Sequence, residues 1–117
     1  MAPFPVKPFL KWAGGKTQLL GELARLVPRE LKEGKIEVFV EPFVGGGAFF
    51  FHLMHRYTFE ECHIFDINNE LVVAYTVVRD EVEDLIGALN GIEDEFLALD
   101  CPSRKSFYYQ VREGFNA

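Results

Sequence analysis

The sequence predicts an α/β fold, and three observations carry that expectation. Strand-like and helical segments alternate along the chain. The segment Ile36–Val40 is short and β-branched at three of its five positions, as a strand covered on both faces should be. Each strand-like run leads through a turn into an apolar helical stretch, which implies parallel strands joined by helical crossovers. The 117 residues, 49% of them hydrophobic, suffice for one globular core and are too few for two ordinary domains.

Taken in order, residues 1–11 hold three prolines and read as an extended arm. From Thr17 to Val27, leucines at 19, 20, 23 and 26 form a helical stripe that Pro28 closes. Ile36–Val40 is the first strand, and the glycines at 45–47 turn the chain. Ala48–Arg56 is apolar on most sides and predicts a helix packed on a sheet. Cys62–Phe65 predicts a second strand ending at Asp66. Asn68 is placed to cap a helix with Leu71, Val72, Tyr75 and Val78 on its inner face. Val82, Leu85, Ile86 and Leu89 continue a helical stripe, with Gly91 as its expected stop. Ser103 is the expected cap of a last helix carrying Phe107, Tyr108, Val111 and Phe115. Two strands do not complete a parallel sheet, whose faces and edges need cover. The order therefore matches the first half of a larger sheet, and no compositional linker divides it.

Net charge is −6 but unevenly spread. Residues 1–60 carry net +2 and residues 61–117 net −8, with eight acids and no Lys or Arg between Asp80 and Asp100. Phosphate backbones are bound largely through cationic contacts, so that acidic stretch is not a nucleic-acid surface. It reads as a solvated helix exterior. Two cysteines, Cys62 and Cys101, lack metal-ligand spacing and argue against a disulfide framework. Neither a leader-like apolar segment nor an apolar run of membrane-spanning length is present, which predicts a cytoplasmic soluble protein with no membrane partner.

The stretch VEPFVGGGAFFF, Val40 to Phe51, carries the most chemistry. A strand, a glycine turn and a helix bring backbone N–H groups up to a ligand. A nicotinamide fingerprint would need a third spaced glycine at position 50, where Phe50 stands. Asp66, 19 residues beyond Gly47, is placed to accept the hydroxyls of an adenosine ribose. Glu41 at the mouth of the turn would repel a pyrophosphate and suit a ligand that presents a cation. S-adenosylmethionine has a cationic amino-acid end and a ribose diol at the other. Glu41 near the ammonium, Asp66 on the diol, and Gly45 and Gly47 between them would grip it.

In FLKWAGGKT, Phe9 to Thr17, the end imitates a phosphate-binding P-loop, but Leu10 occupies the place of its first glycine. What remains is a Gly-Gly-Lys segment opening a helix. Its free N–H groups and Lys16 can serve a carboxylate, and Trp12 can wall the site.

Together, FLKWAGGK, VEPFVGGGAFFF and FDINNELV, with FYYQVREGFN more weakly, resemble the N-terminal part of Dam-type (D12 class) DNA adenine-N6 methyltransferases. The resemblance implies a Rossmann-like methyltransferase fold using S-adenosyl-L-methionine to methylate adenine N6 at a defined DNA sequence. It implies cofactor contacts at Trp12, Lys16, Glu41, Phe43, Gly45 and Gly47, with Asp66 on the ribose and Ile67 against the adenine. The family's Asp-Pro-Pro-Tyr motif has no counterpart, since the chain contains no Pro-Pro pair, so no residue is assigned to catalysis. Residues 1–117 are read as the cofactor-binding part, with DNA engaged through the missing C-terminal part. A fragment of that kind is also expected to self-associate through exposed apolar surface.

Two other readings stay open on the residues alone: a nicotinamide-dependent oxidoreductase fragment and a non-catalytic module bound to a partner. Smaller signals favour packing. His52 and His55 lack a third ligand nearby in sequence, so no metal is expected. Phe49, Phe50 and Phe51 point different ways on a helix and suit a core better than a base-stacking platform.

Overall fold

The computed structural model describes residues 6–117. Its elements are a 3-10 turn at Thr17–Leu19, α1 (Leu20–Leu26), α2 (Arg29–Lys32), β1 (Val38–Glu41), α3 (Ala48–Arg56), β2 (Glu61–Ile64), α4 (Asn69–Asp80), α5 (Val82–Leu97) and α6 (Cys101–Asn116). The two strands pair in parallel, with Val38 opposite Glu61 and Glu41 opposite Ile64. The chain is thus a mixed α/β structure with a small parallel sheet, in the alternating order expected. Two compact units are present, one closing at Val72 and the other spanning Val73–Ala117. Helix α4 starts in the first and continues into the second.

In the first unit, the core is Leu31, Val44, Ala48, Leu53 and Leu71, of which Leu71 is 1% exposed and Leu53 2%. An aromatic cluster extends it. Phe39 of β1 meets Phe49, Phe50 and Phe59 at ring separations of 6.3, 6.2 and 5.5 Å. Phe51 meets Phe9 at 6.1 Å. The phenylalanine block is therefore sheet-facing and arm-facing packing, with geometries suited to aromatic pairs. Val38 and Val40, about half exposed, point from the strand away from this cluster's Phe39.

The first strand begins two residues later than Ile36–Val40 and ends one residue later, where the Glu41 carbonyl accepts from Phe65 N–H at 2.8 Å and extends the ladder. Asn68 caps α4 as expected: its Oδ1 accepts from the N–H groups of Glu70 at 2.9 Å and Leu71 at 3.2 Å.

The second unit corrects two expectations. Gly91 does not stop α5, which runs on to Leu97. A glycine inside a helix costs only about 1 kcal/mol against alanine, and the apolar stripe resumes at Ile92 and Phe96. The last helix is capped by Asp100, not Ser103. Asp100 Oδ1 accepts from Ser103 N–H at 2.9 Å, and Pro102 occupies the helix's first turn. Arg104 of α6 closes the preceding helix by donating to the carbonyls of Phe96, Leu97 and Leu99 at 3.2, 3.1 and 3.0 Å. Its guanidinium also lies 5.2 Å from the Phe96 ring centre. Among the described residues, no helix is long and apolar enough to cross a membrane.

Candidate functional site

Parallel pairing brings the carboxyl ends of β1 and β2 to one edge, the edge where open α/β sheets bind ligands. Glu41 ends β1, and Asp66 lies two residues past the end of β2. The glycine turn spans the space between them.

Glu41 is the buried acid, 6% exposed. A buried carboxylate needs a cation and hydrogen bonds to be tolerated. Lys16 Nζ stands 2.8 Å from Glu41 Oε1 and donates also to the Phe43 carbonyl at 2.7 Å. One lysine thus ties the segment before α1 to the end of β1 and the start of the turn. The other carboxylate oxygen, Glu41 Oε2, is buried with no hydrogen-bond partner among the described residues. Such an orphan costs about 1–3 kcal/mol or more, and a cationic donor arriving beside it would relieve that cost.

Asp66 serves the turn directly. Its Oδ2 accepts from Gly45 N–H at 3.0 Å and its Oδ1 from Asn68 N–H at 2.9 Å. These backbone donors, Asn68 first and Gly45 next, hold its carboxyl below the usual aspartate range, and the charge of Lys16 adds to them. A carboxylate has about four lone-pair sites, so each oxygen keeps acceptor capacity for a ligand hydroxyl.

The turn needs its glycines for two different reasons. Gly45 and Gly47 have φ of 52° and 83°, the left-handed region that glycine adopts without a Cβ penalty. Gly47 N–H closes the turn onto the Val44 carbonyl at 2.9 Å, and Val44 N–H bonds the Phe65 carbonyl at 2.9 Å. Gly46 sits where space is tight: a Cβ there would stand 3.3 Å from Trp12 Cβ and 3.5 Å from the Leu10 carbonyl oxygen, so Trp12 would have to give way by a few tenths of an ångström. Sequence reasoning missed Gly46, and the unbroken run of three glycines was the available signal.

The other candidates sit as follows. Trp12 is 40% exposed, with its indole Cδ1 3.5 Å from the position of a Cβ on Gly45. Phe43 is 74% and Ile67 99% exposed. Lys16, Glu41, Gly45 and Asp66 are joined by the contacts above; Phe43 shares in them through its carbonyl, and Ile67 flanks Asp66. Among the described residues, no group of three or more His, Cys, Asp or Glu is arranged to hold a metal.

A family model described as "D12 class N6 adenine-specific DNA methyltransferase" matches residues 12–117. The chain is 54% identical over 111 residues to "Type II methyltransferase M.MjaIII" of Methanocaldococcus jannaschii, covering 95% of this chain and 38% of that protein. It is 35% identical over 111 residues to "DNA adenine methylase" of Haemophilus influenzae, covering 95% of this chain and 34% of the relative. For "DNA adenine methylase" of Escherichia coli K12 the identity is 35% over 108 residues, with 92% and 34% covered. The chain therefore spans between a third and two fifths of the length of these relatives. No solved structure matches it significantly.

Proposed function

Because the chain belongs to the D12 class N6 adenine-specific DNA methyltransferase family, we propose that it forms the cofactor-binding part of an enzyme that methylates adenine N6 in DNA. The methyl donor in this reading is S-adenosyl-L-methionine, seated at the carboxyl end of a Rossmann-like sheet that begins with β1 and β2. The observation that carries the reading is the Lys16–Glu41 pair with its unpartnered Glu41 Oε2. An amino-acid zwitterion complements that pair, its ammonium meeting Glu41 and its carboxylate meeting Lys16. A pyrophosphate has nothing to offer the orphaned carboxylate oxygen.

The remaining contacts follow the ligand outward. Gly45 and Gly47 keep the turn's backbone low beside it, and Asp66 receives the ribose hydroxyls on its unused lone pairs. Ile67 and Phe43 are exposed apolar side chains available to cover the adenine and the donor's apolar stem, a burial worth about 1.5–3 kcal/mol for each side chain fully covered. Trp12 walls the turn. The donor supplies the reactive methyl group; the chain's part is to bind and orient it. The target adenine must leave the base stack to be reached, and no residue of this chain is assigned to receive it. Recognition of the DNA sequence in this reading lies in other parts of the protein, and the chain by itself self-associates through its exposed apolar residues.

Calorimetric titration with S-adenosylhomocysteine and with NAD tests this reading. S-adenosylhomocysteine should bind and NAD should not. Asp66→Ala should weaken binding at least about tenfold, the value of a charge-assisted hydrogen bond of about 1.5–3 kcal/mol. Equal affinity for both ligands, or an unchanged affinity in Asp66→Ala, removes the assignment.

A further inference from the structure

A cavity of about 590 Å³ opens within the first unit between the N-terminal segment and α3. Neither Glu41 nor Asp66 lines it. Its charged lining residues are all basic: Lys7 and Lys11 from the N-terminal segment and Arg56 from α3. This is a concentrated positive site in a chain of net charge −6. None of the three cations forms an ion pair with a described residue, whereas Lys16, Arg25, Arg29, Lys35 and Arg79 each face a carboxylate.

Two histidines complete the wall, His52 and His55, one turn apart on α3. Arg56 Nη1 lies 3.2 Å from His52 Nδ1. A guanidinium only donates, so Nδ1 is the acceptor and the neutral ring carries its hydrogen on Nε2. That Nε2 is buried and has no partner among the described residues, and His55 Nδ1 is in the same state. A buried donor facing no acceptor, in a cavity lined by cations, is complementary to an oxyanion.

We propose that this cavity is a binding site for a phosphate-class oxyanion, either free phosphate or a phosphodiester of a nucleic-acid backbone. Nε2–H of His52 and the Arg56 guanidinium donate to it, and the lysines supply charge. The cavity shares Trp12 and Gly46 with the glycine turn, but Lys16, Glu41 and Asp66 do not line it, and its anion binding does not depend on the methyl-donor reading. It also predicts a pH dependence. Burial, then Arg56, then His55 hold His52 below its ordinary imidazole range. The groups facing it are Lys7 and Lys11 from the N-terminal segment and His55 and Arg56 from its own helix; Thr17, Leu20 and Gly46 bring no charge. An anion among them favours protonated His52, in which Nδ1 turns from acceptor to donor and Arg56 is released to the anion, so affinity for an anion of fixed charge rises as pH falls.

Side-chain 1H–15N NMR of the histidines, titrated with inorganic phosphate at constant ionic strength set by chloride, tests the site. The His52 and His55 resonances should shift saturably, and the His52 midpoint of protonation should move upward with bound phosphate. Arg56→Gln should weaken binding about fivefold, allowing for the exposure of that side chain. Lys7→Gln/Lys11→Gln, which leaves the helix untouched, should weaken it as well. Lys32→Gln, outside the cavity, should not. A short DNA duplex saturating at lower phosphate-group concentration than inorganic phosphate supports the site and names the backbone as its source; saturation by inorganic phosphate alone supports it with a free anion. A shift reproduced by chloride, or identical curves for Arg56→Gln and Lys32→Gln, overturns the proposal. S-adenosylhomocysteine binding in the same samples reports separately on the other site.

Discussion

A carboxylate ending a strand inside the fold survives only with a cation against it, and Lys16 is that cation for Glu41. Removing the lysine alone strands the charge. Lys16→Met should cost about 1–3 kcal/mol, a buried-pair value reduced because the Lys16 side chain is one-third exposed. Lys16→Met combined with Glu41→Gln should recover part of that loss, and urea unfolding of both variants checks it. Additive losses would show that the pair is not coupled. Asp66 gives a pH signature instead. Its folded-state carboxyl titrates below the ordinary range because Asn68 and Gly45 N–H groups hold its ionised form. Its stabilising contribution is therefore complete above the unfolded-state value and fades as pH falls through the lower folded value. The stability gap between the native chain and Asp66→Asn should be widest at neutral pH and close in acid; a gap independent of pH would contradict this. At this scale the sequence was informative about charge placement: an acid after each strand and a lysine after paired glycines. It did not reveal that Lys16 and Glu41, 25 residues apart, bond each other. It also did not reveal that Trp12 occupies the space above Gly46. Both are long-range contacts without a local pattern.

Elements were legible where an apolar period and its end signals agreed. Ala48–Arg56 and the Asn68 cap are instances, since glycine before an apolar helix and Asx before a leucine stripe each have one reading. Where a stop signal competed with a continuing apolar stripe, the stop signal misled. Gly91 sits in open space on the exposed side of α5, and its cost is smaller than the gain from continuing the stripe. Gly91→Ala should therefore stabilise the chain by about 0.5–1 kcal/mol, and thermal unfolding should show a raised midpoint. Asn68→Ala should lower stability by about 1 kcal/mol through its lost cap bonds. Asp100→Ala should have a comparable effect on α6 and Ser103→Ala a smaller one, since that variant loses the side-chain bond to Asp100 but keeps the backbone N–H bond. The reverse ranking would restore Ser103 as the cap.

Across the whole chain, burial is unequal. Among the described residues, the buried hydrophobic side chains, Leu31, Val44, Ala48, Leu53 and Leu71, belong to the first unit, and no residue from 73 to 117 is buried. Local opening free energy follows buried apolar contact. Amide hydrogen exchange should be slower in α3 than in α6, and Leu53→Ala should cost about 2–5 kcal/mol. Equal protection in the two helices would show that the second unit draws stability from contacts other than burial. The unequal charge of the two halves was plain from composition, whereas the division at Val72 was not, because a continuous helix crosses it and no linker marks it.

The single tryptophan packs against the glycine turn, with its ring 3.5 Å from where a side chain on Gly45 would begin. Indole emission responds to the polarity and motion of its surroundings, so the chain carries an intrinsic optical probe of its own binding loop. Ligand occupancy and loop rearrangement can be followed in the unlabelled protein, without a second chromophore of the same kind to confuse the signal.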